Sequence, residues 1–551
     1  MPESLSIPGQ PHSQHRVPSG RWLHYSTATL IGLGAVLSLA GGLRLYHLDG
    51  YGLWSDEFVT LMVVSTESYA DLIKLCFKIP QPMPPFYFLL NKAVFDLFSQ
   101  GEVSLRLLSA LSSLLTVYCV FELGRRLINV EIGFFAALLC AVNSTQIVYA
   151  QNARPYALCL LLSAISMISF LGWLKDNKRS HQIVYLVSTG LLVYTHYIFA
   201  IVPCIQTAHV LLHRSFPALT GSTSGSWFRS WAAIQTCLVL LLLPLLPQLW
   251  RVFQDRHSLN WERRIPKLTD SIMFLNLKAL GWAMGVTLLI WVGRRLSGFL
   301  IRQGSNLRVT RKKPHPSGVE PVSLLFSWYL IPLITFLLIF YYSGLNLFVE
   351  RYLILCSLPL YLLLPSLAFA LCDNSIGRVF LLVYLGIYVL VEPAGFFFQK
   401  KEFSQGVPGG SEWREALGKL QQPDFESPLV LFQSPFIESN ELNYEGNLML
   451  FNYLSAPLHS FYIKRPIPSF ILLPVHWWIN NEAHRKFKTK LSRELDSEEE
   501  FVLLSTQEFW ENFEPWLLGM RDGIQLVHVE KEFRSSGSLG LRKISLRESV
   551  H

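Results

Sequence analysis

YGLWSDEFVT, residues 51–60, follows the first long apolar run of the chain and sets two adjacent carboxylates, Asp56 and Glu57, just behind Trp54. The preceding run, near 26–46, has the length of a bilayer crossing, which needs roughly 20 mostly apolar residues. Trp54 then stands where an interfacial anchor would, and charge at that depth is costly unless it is solvated or used. The doublet has two readings. In one, Ser55 or Asp56 caps a helix that starts near Glu57, with Glu57 complementing the helix dipole. In the other, it is a catalytic pair at the membrane surface.

The surrounding sequence sets the class. Of 551 residues, 51% are apolar and only 16% charged, and the mean hydropathy is +0.33. Apolar runs near 26–46, 103–123, 132–149, 156–174, 183–196, 198–213, 231–249, 276–293, 322–343, 352–371 and 377–395 predict an α-helical polytopic membrane protein of about 11 transmembrane helices. YTHYIF (194–199) divides the least distinct pair of these runs. The net charge of +8 comes from basic residues clustered in short loops between apolar runs, a topology signal and not a nucleic-acid patch. Most of the eight cysteines lie inside apolar runs, with no metal-ligand spacing, and after Leu371 only Cys372 remains, so an internal disulfide in the C-terminal part is excluded.

Arg125–Arg126, KDNKRSH (175–181), His213–Arg214, the basic stretch 293–313 and Arg378 all fall on one face when these spans are numbered in order, together with the basic leader from Pro2 to Arg21. The excess of Lys and Arg places that face in the cytoplasm. The leader lacks a small-residue cleavage site, so the first span reads as uncleaved. The opposite face receives the loop from His47 to Glu102, the loop from Trp250 to about Asp270, and everything after about Pro393. In the first of these, DLIKLCFK (71–78) and PPFYFLLNKAVFDLF (84–98) predict helices lying in the interface, the second opened by its prolines.

The C-terminal region alternates short β-like runs (428–433, 469–475, 500–506, 524–529) with the helix-like segments 411–421 and 481–495, the pattern of a small α/β soluble domain. It carries neither a Gly-rich phosphate loop nor a nucleophile elbow. The divisions are therefore a cytoplasmic leader (1–25), a transmembrane domain (26–395) that includes the loop 47–102, and an extracytoplasmic α/β domain (396–551).

Polar residues sorted by side collect at one depth on the face opposite the basic loops: Arg44, Asp56, Glu57, Lys78, Arg106, AQNARPY (150–156), THY (195–197) and VERY (349–352). Taken singly, Arg44, Arg106 and Arg351 read as snorkelling anchors and His196 as a hydrogen-bonded helix histidine. Taken together they suit a lipid phosphate whose tail stays in the bilayer. Arginines bind phosphate oxygens bidentately, a carboxylate deprotonates an acceptor, and cations stabilise the charge that develops on a leaving phosphate.

LRLYHLDGYGLWSDEFVT (43–60), PMPPFYFLLNKAVFDLF (82–98), EVSLRLLSALSSLLTVYCVFELGRRL (102–127) and YAQNARPYALCLLL (149–162) follow in order, extended by YTHYIF, ERYLILCSLPLYLLL (350–364) and SEWREALGKL (411–420). This ordered set resembles the polytopic glycosyltransferases related to dolichyl-phosphate-mannose protein mannosyltransferases and bacterial lipid A aminoarabinose transferases. The resemblance implies a C-type glycosyltransferase fold, a polyprenyl-phosphate-linked sugar donor and inversion at the anomeric carbon. It puts Asp56 at the position of the family's proposed base, with Glu57 positioning the acceptor or binding a metal. Arg154 and Arg351 become candidates for the donor phosphate, with Arg44, Lys78, Tyr156 and His196 as further candidate contacts. Many relatives carry His or Lys before the paired prolines, where this chain has Met83. The two carboxylates and one His could hold a divalent ion, though their spacing does not require one. The acceptor is left open among protein, lipid and glycan. The topology fits a bacterial inner membrane with the N-terminus cytoplasmic, and an endoplasmic-reticulum enzyme would share it. A transporter or flippase of a lipid-linked or small polar solute is the alternative, against which stand the lack of an internal repeat, the interfacial helices and the large C-terminal region.

Overall fold

The computed structural model describes residues 25–213, 224–254, 319–371, most of 410–520, then 524–529 and 539–548, with a few positions between 378 and 386. The expected spans at 276–293 and 377–395, and the basic stretch 293–313, lie wholly or largely outside the described residues. Twelve helices build the first part: α1 (Thr27–Leu45), α2 (Ser55–Val64), α3 (Tyr69–Lys78), α4 (Phe86–Leu97), α5 (Glu102–Leu127), α6 (Val130–Val142), α7 (Ser144–Ala150), α8 (Tyr156–Asp176), α9 (Arg179–Thr195), α10 (Ile201–His213), α11 (Ser224–Leu242) and α12 (Leu246–Gln254). After them come α13 (Val319–Ser343), α14 (Glu350–Leu353) and α15 (Ser357–Leu371). Among the described residues six helices are long and apolar enough to cross a membrane, or up to seven if the bent pair α6–α7 counts as one. The chain is an integral membrane protein. Arg378 pairs with Glu131 at the start of α6 at 2.9 Å, so two of the basic loops do share a face.

The run expected as one span over 132–149 is broken. α6 and α7 meet at 62° around Asn143, whose Oδ1 accepts from the Gln146 N–H at 3.0 Å. Asparagine caps a new helix more readily than it continues an old one. The break strands carbonyls in a medium without water to solvate them, and Arg44 meets them: its guanidinium donates to Ala141 O at 2.8 Å and Cys140 O at 3.0 Å. Gln151 in turn donates to the carbonyls of Leu43, Arg44 and Tyr46 at the end of α1. α5 and α6 cross backbone to backbone, since a Cβ on Gly133 would lie 2.5 Å from the Phe121 carbonyl. Such small-residue crossings let membrane helices gain dispersion contact.

The two interfacial segments expected in the loop after α1 are α3 and α4, with α2 ahead of them. Ser68 caps α3, accepting from the Asp71 N–H at 3.1 Å. At YTHYIF the apolar stretch divides into α9 and α10 through a 3-10 turn, Tyr197–Ala200, with His196 as its cap.

The C-terminal region opens with α16 (Gly410–Leu420) and contains α17 (Leu448–Leu454), α18 (Glu482–Leu495) and α19 (Gln507–Leu518) around five strands, β1 (Val430–Gln433), β2 (Phe470–Leu473), β3 (Glu500–Thr506), β4 (Ile524–Val529) and β5 (Leu539–Glu548). The sheet order is β2-β1-β3-β5-β4, with β2, β1 and β3 parallel and β5 antiparallel to both β3 and β4. Four strands fall where the alternating runs predict them. β5 was not expected, because LGLRKISLRE carries four charges and a glycine and mimics a polar tail; pairing between β3 and β4 overrides that local preference. The sheet region rests directly on α2. Phe58, Val59 and Leu61 share one buried cluster with Trp413, Leu417 and Phe432, and Phe58 meets Trp413 edge-on at 5.8 Å.

Candidate functional site

The two carboxylates of the doublet do different things. Glu57 is at N3 of α2, its side chain 1% exposed, and it is saturated. Its Oε1 accepts from Arg106 Nε at 2.8 Å and the Ala153 N–H at 2.7 Å, while Oε2 accepts from Arg106 Nη2 at 2.6 Å and, more distantly, from the Trp54 N–H at 3.4 Å. Arg106 also donates to the carbonyls of Leu48, Tyr51 and Gly52. The pair is thus a buried knot that ties the turn after α1, the start of α2, and the segment before α8 together. Expected to position an acceptor or bind a metal, Glu57 here has its carboxylate lone pairs engaged within the protein. Arg106, read singly as a snorkelling anchor, is its internal partner.

Asp56 points to the other side and is 18% exposed. Two guanidiniums from distant parts of the chain converge on its Oδ2: Arg154 Nη2 at 3.7 Å and Arg351 Nη1 at 3.8 Å. These distances are too long for direct hydrogen bonds, so each guanidinium is drawn to the carboxylate without closing on it, while Arg154 Nη1 donates to the Asp56 backbone carbonyl at 3.2 Å. Arg154 is held by the backbone on either side of it. Thr60 Oγ1 donates to Ala153 O at 2.8 Å, Ser109 Oγ to Arg154 O at 3.2 Å, and Trp54 Nε1 to Asn152 Oδ1 at 3.1 Å. Burial would lower the Arg154 pKa, but the Asp56 charge and the Tyr156 hydroxyl together outweigh it and hold the guanidinium above its ordinary value. Its buried Nε has no partner among the described residues.

Aromatic rings wall this charge cluster. Tyr149 and Tyr156 lie 5.4 Å apart, Tyr156 and His196 5.7 Å, and His196 and Tyr352 5.6 Å. His196 Nδ1 accepts from the Ile198 N–H at 3.4 Å, so it caps its turn and shapes the wall. Met83 stands 3.6 Å (Sδ) from Arg154 Nη2. A cation at that position would repel Arg154, and a thioether accepts weakly instead.

Of the expected residues, Asp56, Arg154, Arg351, Tyr156 and His196 gather in one place. Arg44 does not, being spent on the α6–α7 break, and Lys78 lines a separate cavity with Arg251 and Glu438. Among the described residues, no group of three or more His, Cys, Asp or Glu side chains is placed to hold a metal ion. The sequence reading missed Glu438. It belongs to the turn Ile437–Glu441 of the C-terminal region, is buried, and accepts from Gln81 Nε2 at 2.8 Å. Burial pushes its carboxyl above the usual range, helped by the nearby charges of Asp56 and Glu441, against the pull of the Gln81 hydrogen bond. Nothing in FIESNE marks such a residue, because its partners lie more than 350 positions away.

Residues 82–250 match the family model described as dolichyl-phosphate-mannose-protein mannosyltransferase. Over that segment the chain is similar to this mannosyltransferase family. Its fold is that of ArnT from Cupriavidus metallidurans in the apo state, with a TM-score of 0.52 at 13% identity over 94% of this chain and 98% of that one. ArnT bound to undecaprenyl phosphate matches with a TM-score of 0.52 at 12% identity over the same shares, 94% and 98%. The Archaeoglobus fulgidus oligosaccharyltransferase in the apo form matches with a TM-score of 0.51 at 14% identity, over 89% of this chain and 71% of that one. No curated protein sequence matches the chain.

Proposed function

We propose that this protein is a membrane glycosyltransferase that moves a sugar from a polyprenyl-phosphate donor to an acceptor on the extracytoplasmic face, with inversion. The observation that carries the reading is the loose triad of Asp56, Arg154 and Arg351, held at 3.7 and 3.8 Å beside a neighbouring carboxylate that is fully engaged. The arginines hold the donor phosphate, each guanidinium offering a planar fork to its oxygens. Asp56, with lone pairs to spare, takes the proton from the acceptor hydroxyl or amine as that atom bonds to the anomeric carbon. The bond from that carbon to the phosphate oxygen breaks, and the polyprenyl phosphate leaves with its new charge on the arginines. Attack from the side opposite the phosphate inverts the centre.

We place the protein in a bacterial inner membrane; the positive-inside pattern supports a cytoplasmic N-terminus and a C-terminal region beyond the membrane, an orientation that an endoplasmic-reticulum enzyme would share. The lipid-linked sugars of cells lacking the gene test the reading by mass spectrometry. A polyprenyl-phosphate sugar accumulates, the wild-type gene clears it, and Asp56→Asn leaves it in place. An unchanged pool, or clearance by Asp56→Asn, refutes the assignment.

A further inference from the structure

Beside the triad is a cavity of about 390 Å³, within the size range of small-molecule sites, about 300–1,000 Å³. Its polar lining comes from three elements: Lys78 at the end of α3, Arg251 and Gln254 on α12, and Glu438, Glu441, Asn443 and Asn447 of the C-terminal region. Two cations and two carboxylates line it, and three amides supply both donors and acceptors. One short strip of chain joins this cavity to the triad. Lys78 lines the cavity, Gln81 donates to Glu438 at 2.8 Å, and Met83 touches Arg154 at 3.6 Å. α12 pins the strip at both ends, with Gln248 donating to Cys76 O at 3.2 Å and Met83 O at 3.3 Å, and Arg251 donating to Phe77 O.

We propose that this cavity is the acceptor subsite and that it takes a neutral polyhydroxylated group, a glycan rather than an anionic lipid headgroup. The assignment rests on the glycosyltransferase reading above and adds the acceptor class to it. Sugar hydroxyls donate to carboxylates and amide oxygens and accept from ammonium, guanidinium and amide N–H groups, so a balanced lining satisfies them in both roles. An anionic group would gain from Lys78 and Arg251 but meet Glu438, which is buried, tied to Gln81, and unable to swing away. Glu438 and Glu441 offset Lys78 and Arg251, so the lining offers an anion no net attraction and sets like charge against it.

The test uses the full chain in lipid nanodiscs. Saturation-transfer NMR measures maltotriose and glucose 6-phosphate, and radiolabelled undecaprenyl phosphate measures the donor side. Maltotriose receives saturation and glucose 6-phosphate little. Glu438→Gln, which keeps an acceptor for Gln81, and Glu441→Gln, at an exposed position, each weaken maltotriose roughly tenfold, the worth of one hydrogen bond to a charged group. Both variants leave undecaprenyl phosphate binding unchanged. The assignment is overturned if glucose 6-phosphate is preferred. It is overturned equally if maltotriose fails to bind, or is indifferent to both variants, while undecaprenyl phosphate binds. Loss of undecaprenyl phosphate binding alone, with maltotriose retained, removes the donor reading and upholds a sugar site in the cavity.

Discussion

Asp56→Asn and Glu57→Gln make the same chemical change at adjacent positions, and the structure assigns them opposite outcomes. Glu57→Gln removes the charge from a carboxylate that is 1% exposed and faces an Arg106 side chain 5% exposed. The amide keeps one acceptor oxygen. Its NH2 must then confront Arg106 in either orientation, and the Ala153 N–H as well in one of them, donors now 2.6 to 2.8 Å from a carboxylate oxygen. Breaking a buried pair this way costs about 3–5 kcal/mol, because the guanidinium stays buried without its counter-charge. At about 1.4 kcal/mol per decade, the opening of this region becomes favoured by between two and four powers of ten. Asp56→Asn instead removes two long contacts, 3.7 and 3.8 Å, at a carboxylate 18% exposed to solvent. These contacts are long, make no direct hydrogen bond and border solvent at Asp56, so losing them costs less than breaking the closed Glu57–Arg106 pair, although Arg154 and Arg351 are left facing each other. Thermal unfolding of the full chain in one detergent, read by tryptophan fluorescence, separates the two. Glu57→Gln falls further below wild type than Asp56→Asn does, and sugar transfer is lost in Asp56→Asn at temperatures where that variant is still folded. If Glu57→Gln unfolds with wild type, or Asp56→Asn is the less stable of the two, the division of the doublet into a structural and a chemical carboxylate is wrong.

Three further outcomes follow from the same geometry. Arg44→Met strips the α6–α7 break of its donors to Cys140 O and Ala141 O, costing about 1–3 kcal/mol per stranded group; thermal unfolding drops, while undecaprenyl phosphate binding by the folded fraction is unchanged. Gly133→Ala drives a methyl to 2.5 Å from the Phe121 carbonyl, so α5 and α6 must separate; overpacking of this kind costs about 1–3 kcal/mol, whereas Gly34→Ala, with open space around it, leaves the unfolding midpoint in place. The C-terminal region is predicted to lose stability in acid. Burial lowers the pKa values of His459 and His476, and Asn440 Nδ2 donates to His476 Nδ1 at 3.1 Å, which suits only the neutral ring. With folded values below the unfolded one near 6.5, the unfolded chain binds more protons in the window beneath that value. Stability is therefore complete above about pH 6.5 and falls as pH drops toward the folded values, a loss that His476→Asn reduces in a thermal series from pH 7.5 to 5.

Why the arginines could not be sorted from sequence is a matter of packing. Spans are legible because lipid leaves the backbone no partner but itself, which forces long apolar helices, and the interfacial helices announce themselves by prolines and by length. Arg44, Arg106, Arg154 and Arg351 present one signal, a guanidinium at a span end on one face. Their fates diverge through contacts that no local pattern encodes. Arg44 answers a helix break whose only mark in sequence is Asn143, and Arg106 answers Glu57 across 49 positions. Arg154 and Arg351 instead converge on Asp56, brought there by the turn after α7 and the short helix α14. Neighbours on a helix point about 100° apart, so SDE at a helix start had to send its two carboxylates in different directions. Which one met Arg106 was set by where α5 packs, and that settled which was free for chemistry. Glu438 stands further still from local legibility, since its place depends on a sheet laid on α2 through Phe58 and Trp413. The reactive half of this site is thus what remains once the internal ion pair has claimed its partners, and a site of this kind is found by exclusion in three dimensions.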